Sequence, residues 1–69
     1  MLKLRVLELL EEQGKTKYSL YKELGMSYTN FNRMITNQTR SIRYDTIETM
    51  CVLFKCTPNE LFEFNFDKE

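Results

Sequence analysis

The sequence predicts an all-α fold, a compact single domain of five helices that spans residues 1–69. The chain has 69 residues with only two glycines and one proline, and it is rich in residues that favour helices. Apolar residues recur at three- and four-residue spacing, and helix-capping residues divide that pattern into short segments. A chain of this length buries only about 60% of the surface that its unfolded form exposes, so a partner copy would add stability.

The first helix is predicted to run from Leu2 or Leu4 to Gln13. Its first turn is ambiguous, because apolar residues alternate at positions 2, 4 and 6, which is typical of a strand. From residue 6 onward the spacing is helical. The apolar stripe of this helix is predicted to consist of Val6, Leu7 and Leu10.

The second helix is predicted at about Lys17–Leu24, and the third is predicted to start after Ser27 and to run to about Thr36. Thr16 and Ser27 have side chains that can cap the two helices, and Gly25 can end the first of them. The buried side of the third helix is predicted to be formed by Phe31, Met34 and Ile35. Two short helices around a glycine turn, at about residues 16–36, have the layout of a helix-turn-helix.

The face of the third helix opposite its apolar stripe carries side chains that can read DNA bases. The second helix of a helix-turn-helix lies in the major groove. Arginine can bind guanine through two hydrogen bonds, asparagine can bind adenine, and threonine can contact the methyl group of thymine. The polar side chains predicted on this side of the helix, or on its flank at the N-terminal tip, are Tyr28, Thr29, Asn32 and Arg33.

A polar loop and two further helices are predicted to follow. The fourth helix is predicted at Tyr44–Phe54. Thr57 and Glu60 form a capping-box signature around Pro58, so the fifth helix is predicted to run from Pro58 to Phe62 or Glu63. The inward side of the fourth helix is predicted to consist of Ile47, Met50, Cys51 and Phe54.

The end of the chain, which includes the C-terminal tail at residues 63–69, has Phe62, Phe64 and Phe66 at alternate positions, a spacing that is typical of a strand. Two of these phenylalanines could close the bottom of the core. Alternatively, the segment forms a short strand that pairs with residues 41–43, or a surface for self-association or for a partner protein. The sequence leaves these alternatives open.

Composition argues against enzymes and metal sites. The chain has no histidine, and it has no glycine-rich phosphate loop. Its two cysteines, Cys51 and Cys56, lie in an apolar segment; residues five apart on a helix point to different faces, which disfavours a disulfide, and two thiols are too few for zinc. We therefore expect no catalytic residues, metal, cofactor or small-molecule ligand, and no membrane segment.

The charge distribution favours a nucleic-acid partner even though the net charge is zero. Residues 13–44 carry six lysines and arginines against Glu23 alone, a net charge of +5, and the stretch from Leu24 to Tyr44 has no acid. Residues 45–69 carry a net charge of −4. The positive charge thus coincides with the predicted helix-turn-helix, as expected if this segment contacts phosphates.

The chain resembles the Xre or Cro-like (lambda-repressor-like) helix-turn-helix family. The resemblance rests on Thr16-(x)3-Leu20-(x)3-Leu24-Gly25-Met-Ser27-(x)3-Phe31-(x)2-Met34, on Asn37-Gln-Thr, and on the segments beginning at Tyr44 and Cys56. It covers about residues 4–64. It implies a five-helix DNA-binding domain that binds a double-stranded operator as a homodimer. It also implies base contacts from Tyr28, Thr29, Asn32 and Arg33, and phosphate contacts from Thr16, Lys17, Asn37, Thr39, Arg40 and Arg43.

Two positions depart from the family pattern. Tyr21 stands where the family usually has a small residue between the two helices, so it must turn outward or separate them. Gln38 stands where glycine is frequent, so a left-handed backbone is expected at Gln38 or Asn37.

Two functions follow from these observations. The first is a sequence-specific transcriptional regulator, a small repressor that is prokaryotic or phage-encoded and cytoplasmic. The second is a protein-interaction module on the same scaffold, such as an anti-repressor, an antitoxin-like partner or an accessory factor. In that case the working surface is the acidic, phenylalanine-rich tail.

Overall fold

The computed structural model describes residues 1–66, so Asp67, Lys68 and Glu69, the end of the predicted tail, lie outside the described residues. Within residues 1–66 the chain forms five helices, as predicted, together with a two-stranded sheet. None of the helices within the described range is long and apolar enough to cross a membrane. In chain order the elements are β1 (Leu2–Leu4), α1 (Val6–Glu12), α2 (Lys17–Leu24), α3 (Tyr28–Ile35), α4 (Tyr44–Phe54), α5 (Pro58–Leu61) and β2 (Phe62–Phe64).

Each helix, together with β1, contributes part of one apolar face to a single core. Within α1 the inward residues are Val6, Leu9 and Leu10, so the prediction that Leu7 belongs to the stripe is wrong; Leu7 is 45% exposed. Helix α1 begins at residue 6, so positions 6, 9 and 10 share a face and position 7 does not. The core consists of Leu4, Val6, Leu9, Leu10, Leu20, Phe31, Met34, Ile35, Met50, Phe54 and Leu61.

The two chain ends form the sheet, which corrects two predictions. Residues 2–4 are strand rather than the first turn of α1, and β2 pairs antiparallel with β1 rather than with residues 41–43. Leu4 lies opposite Phe62 and Leu2 lies opposite Phe64. Helix α5 ends at Leu61, earlier than predicted, because the chain becomes extended at Phe62 to join this sheet.

Asn37 connects β1 to the end of α3. Its side-chain oxygen accepts a hydrogen bond from the backbone N–H of Leu4 at 2.7 Å, and its amide nitrogen donates to the Leu4 carbonyl at 3.3 Å. Its φ is +62°, so the left-handed residue of this turn is Asn37 and not Gln38. Asparagine tolerates this conformation better than most residues.

The C-terminal end of α4 corrects the assumption about the two cysteines. Lys55 adopts a φ of +53°, and the N–H of Cys56 returns to the carbonyl of Cys51 at 3.0 Å. Cys56 therefore lies beyond the helix, not five positions along it. Both thiols are free and half-buried, and burial, followed by the neighbouring Cys51, raises the pKa of the Cys56 thiol.

Arg5 links the sheet to α1 and α5. Its Nε donates to the Glu8 carboxylate at 2.9 Å, and its Nη1 donates to the Glu60 carbonyl at 2.8 Å. The hydrogen bond with Glu8 raises the pKa of the guanidinium. At the start of α5, the Glu60 carboxylate accepts from the Thr57 N–H at 3.0 Å, which is the predicted backward half of the capping box.

Candidate nucleic-acid interface

Local hydrogen bonds fix where α2 and α3 begin and how they are joined. The Thr16 hydroxyl accepts from the Ser19 N–H at 3.1 Å, and the Ser27 hydroxyl accepts from the Asn30 N–H at 3.2 Å. Gly25 ends α2 with a φ of +65°. Both predicted caps and the glycine stop are confirmed, so α2 and α3 form the predicted helix-turn-helix with a turn of only three residues, 25–27.

Helix α3 has one buried face and one exposed face. Phe31, Met34 and Ile35 are no more than 2% exposed, so they hold the helix against the core. All four predicted base-facing residues lie outside the core and are exposed, and Tyr28 is 62% exposed. The side chains that remain available to a ligand on α3 include Tyr28, Thr29, Asn32 and Arg33.

Tyr21 resolves the packing problem at the contact between α2 and α3 by joining an aromatic cluster. Its ring lies 5.5 Å from the Tyr28 ring in an edge-to-face geometry of 84°, and 5.5 Å from the Phe31 ring. Tyr18 lies 6.4 Å away on the outer side. The half-buried Tyr21 thus supports Tyr28 at the N-terminal tip of α3, a role that sequence reasoning did not identify.

A groove of about 270 Å³ runs along the opposite flank of α3. Arg33, Thr39 and Arg43 line it, so the fold brings a predicted base-facing residue together with two predicted phosphate-contacting residues. Asn30, one turn before Arg33, also lines this groove and was not identified from the sequence. Its position three residues before Arg33 is the signal that could have identified it, since such residues share a helix flank.

The remaining predicted phosphate-contacting residues are not equivalent. Lys17 and Arg40 are exposed. The Thr16 hydroxyl is used as a cap, and the Asn37 amide is used by Leu4. The predicted phosphate contacts of Thr16 and Asn37 therefore remain predictions. To bind a phosphate, either residue would have to use its backbone groups or share its side-chain hydrogen bond between two partners.

Thr39 and Arg43 make local contacts of their own. The Thr39 hydroxyl donates to the Ser41 carbonyl at 3.0 Å, which orders the loop after α3. Arg43 pairs with Asp45 at 3.1 Å, but both side chains are exposed, 83% and 67%, so water screens the pair. The Arg43 charge consequently remains accessible to a phosphate.

Comparison with protein families agrees with this geometry. A model described as the Cro/C1-type HTH DNA-binding domain matches residues 5–67, which is nearly the whole chain. The protein belongs to this family, and it is a DNA-binding regulator. No curated protein and no solved structure matches the chain.

Proposed function

We propose that this protein is a transcriptional repressor that binds a specific double-stranded operator as a homodimer. The single observation that carries the proposal is the division of α3, which buries Phe31, Met34 and Ile35 and exposes the polar side chains of its other face. Repression would be steric, by occupation of a site that overlaps a promoter. Two half-sites read by two copies would compensate for the low net charge of each copy.

Base recognition is assigned to four exposed residues of α3. Asn32 suits the major-groove edge of adenine, and Arg33 suits guanine or, from its groove beside Arg43, a phosphate. The role of Thr29 is apolar contact with a thymine methyl group. Tyr28, supported by Tyr21, would contact a base edge or the backbone at the tip of the helix.

Backbone binding is assigned to the cations around α3. Lys17 lies at the start of α2, and Arg40 and Arg43 lie in the loop and at the cap before α4. Their charges would neutralise phosphates without reading sequence, and they would set the register of the protein on the duplex. Further phosphate contacts are assigned to Thr16, Asn37 and Thr39, whose side chains also make hydrogen bonds within the protein.

Selection of bound sequences from random duplexes, followed by salt titration, tests this proposal. Arg33→Ala and Asn32→Ala should each cost about 1–3 kcal/mol on the selected sequence, with relaxed specificity. Lys17→Ala and Arg40→Ala should weaken binding to all sequences and flatten the salt dependence. Val52→Ala, which changes a 69% exposed apolar residue on α4, is the matched control and should have no effect.

A second candidate function rests on the exposed end of the chain. Phe64 is 54% exposed and Phe66 is 85% exposed, so they could bind another protein, as in an anti-repressor, an antitoxin-like partner or an accessory factor. This second function is supported if the four substitutions at Lys17, Asn32, Arg33 and Arg40 leave DNA affinity unchanged while Phe64→Ala abolishes a protein complex. In either case we propose a cytoplasmic, prokaryotic or phage-encoded protein, controlled without a cofactor or small-molecule ligand.

A further inference from the structure

Cys51 and Cys56 lie at the two ends of the turn that terminates α4. Lys55 has a φ of +53°, its N–H donates to the Val52 carbonyl at 3.2 Å, and the Cys56 N–H donates to the Cys51 carbonyl at 3.0 Å. These two hydrogen bonds around one left-handed residue define a Schellman motif. In this motif the side chains of the residues joined by the longer-range bond commonly touch, and here those residues are the two cysteines.

The same hydrogen bond limits the distance between the Cα atoms of the two cysteines. A Cα lies about 2.4 Å from its own carbonyl oxygen and about 1.5 Å from its own nitrogen. Since the Cys51 oxygen and the Cys56 nitrogen are 3.0 Å apart, the two Cα atoms are at most about 6.9 Å apart, and any bend at either atom brings them closer. Disulfides span Cα distances of about 4.4–6.8 Å. The turn therefore holds the two backbones at the separation that a disulfide needs.

The environment of the two side chains agrees with this proximity. Both cysteines are half-buried and pack against the core. The pKa of the Cys56 thiol is raised by burial and then by the neighbouring Cys51, so the two thiols are close enough to influence each other. The objection to a disulfide that applies to positions five apart on one helix does not apply here, because Cys56 lies beyond the end of α4.

We propose that Cys51 and Cys56 are a redox modification site, at which a small-molecule disulfide of the glutathione type closes a reversible disulfide within the chain. Two sulfurs are sufficient for this bond, whereas a structural zinc site takes four ligands. In reducing surroundings both thiols stay free, and the bond forms when the thiol–disulfide balance becomes oxidising. The site does not depend on the proposed function, since it lies at the end of α4 opposite Arg43.

The exchange takes two steps and conserves electrons and protons. The Cys51 thiolate attacks one sulfur of the reagent, forms a mixed disulfide and releases a small thiolate, which takes up the proton that Cys51 lost. The Cys56 thiolate then attacks the Cys51 sulfur and displaces the second small thiolate, which takes up the proton from Cys56. Two cysteine thiols are oxidised to one disulfide, and one reagent disulfide is reduced to two thiols. The first attack is assigned to Cys51 because the raised pKa of Cys56 keeps that thiol protonated.

The disulfide should stabilise the folded protein. Because the turn already holds the cysteines together, the cross-link restricts mainly the unfolded chain. The turn is also a junction of three helices: the Gln13 side-chain amide after α1 donates to the Phe54 carbonyl at 2.9 Å, and α5 begins at Pro58. The stability of the protein would then respond to the thiol–disulfide balance of its surroundings.

Equilibration of the reduced full chain with mixtures of reduced and oxidised glutathione, with and without urea, tests the site. Mass spectrometry after acid quenching and alkylation counts the free thiols, the glutathione adducts and the disulfide. In the folded protein a disulfide within one chain should be the main product, with a yield that does not depend on chain concentration. Glutathione adducts or covalent dimers as the main product overturn the proposal.

The equilibrium constant for closing the disulfide should be about tenfold or more higher in the folded protein than in urea. Because bond formation and folding are linked, a tenfold ratio corresponds to about 1.4 kcal/mol of additional free energy of unfolding in the oxidised chain. The oxidised chain should accordingly unfold at a higher urea concentration than the reduced chain. Equal equilibrium constants with and without urea, or an oxidised chain that is no more stable than the reduced one, overturn the proposal.

Cys51→Ser and Cys56→Ser are the matched controls, since each keeps one thiol and can form only a mixed disulfide with glutathione. Neither should show the gain in stability on oxidation. Cys56→Ser, which keeps the attacking thiol, should form its adduct faster than Cys51→Ser does. The opposite order overturns the assignment of the first attack to Cys51, and a gain in stability in either single variant overturns the disulfide as its cause.

Discussion

At the scale of single residues, Gly25 and Lys55 both cap the C-terminal end of a helix in a left-handed backbone conformation, but only one of them is a glycine. Gly25 ends α2 at a φ of +65°, and Lys55 ends α4 at +53°. A Cβ at Gly25 would meet no atom within 4 Å, so Gly25→Ala should lose only the backbone term, about 1 kcal/mol. Lys55→Gly should raise the free energy of unfolding by a similar amount, because glycine adopts the left-handed conformation without strain. Urea unfolding of both variants checks the opposite signs; a loss of stability in both would contradict the argument.

At Asn37 the contribution of the side chain to stability can be distinguished from that of the backbone conformation. Its φ is +62°, so Asn37→Gly relieves the backbone but removes both hydrogen bonds to Leu4. We expect a net loss of about 1–2 kcal/mol, since the Leu4 groups lose their partner. Hydrogen exchange at the Leu4 amide should accelerate as well. Unchanged exchange at this amide would show that the Asn37 side chain does not protect β1.

At the scale of elements, predictability follows the range of the determining contacts. The bounds of α2 and α3 were predicted to within one residue, because Thr16, Ser27 and Gly25 act within their own turn. Strand β1 was not predicted, because its partner strand lies about 60 residues away in the sequence, with Leu4 opposite Phe62. Alternation in each segment indicated a strand, but no local signal could pair the two ends of the chain.

The contact between α2 and α3 gives a prediction at the same scale. Tyr21→Ala should cost about 2 kcal/mol, roughly half the cost of a fully buried aromatic residue, since Tyr21 is half-buried. It should also weaken DNA binding, because Tyr28 loses its edge-to-face neighbour at 5.5 Å. Tyr21→Phe keeps the ring and is the control, with stability and affinity near those of the wild type. Urea unfolding and a binding titration on the selected duplex measure both effects.

At the scale of the whole molecule, the exposed face of α3 could be predicted and its surroundings could not. Helical spacing alone placed Asn32 and Arg33 outside the buried stripe of α3. The groove that joins Arg33 to Arg43 depends on the path of the loop between α3 and α4, which no pattern specifies. The aromatic support from Tyr21 was missed for the same reason, since it depends on how closely two helices approach.

The separation of charge along the chain leads to a last prediction, that location rather than net charge governs the salt dependence of DNA binding. Each phosphate neutralised contributes about −0.9 to the slope of log K against log salt concentration. Lys17→Gln, at the start of α2, should make the slope shallower by about that amount. Lys55→Gln removes the same charge from the C-terminal end of α4, about 18 Å along that helix from Arg43, and should leave the slope unchanged. Equal changes in both variants would mean that the neutral molecule responds to DNA through its total charge, and that the cations around α3 do not form a localised phosphate-binding surface.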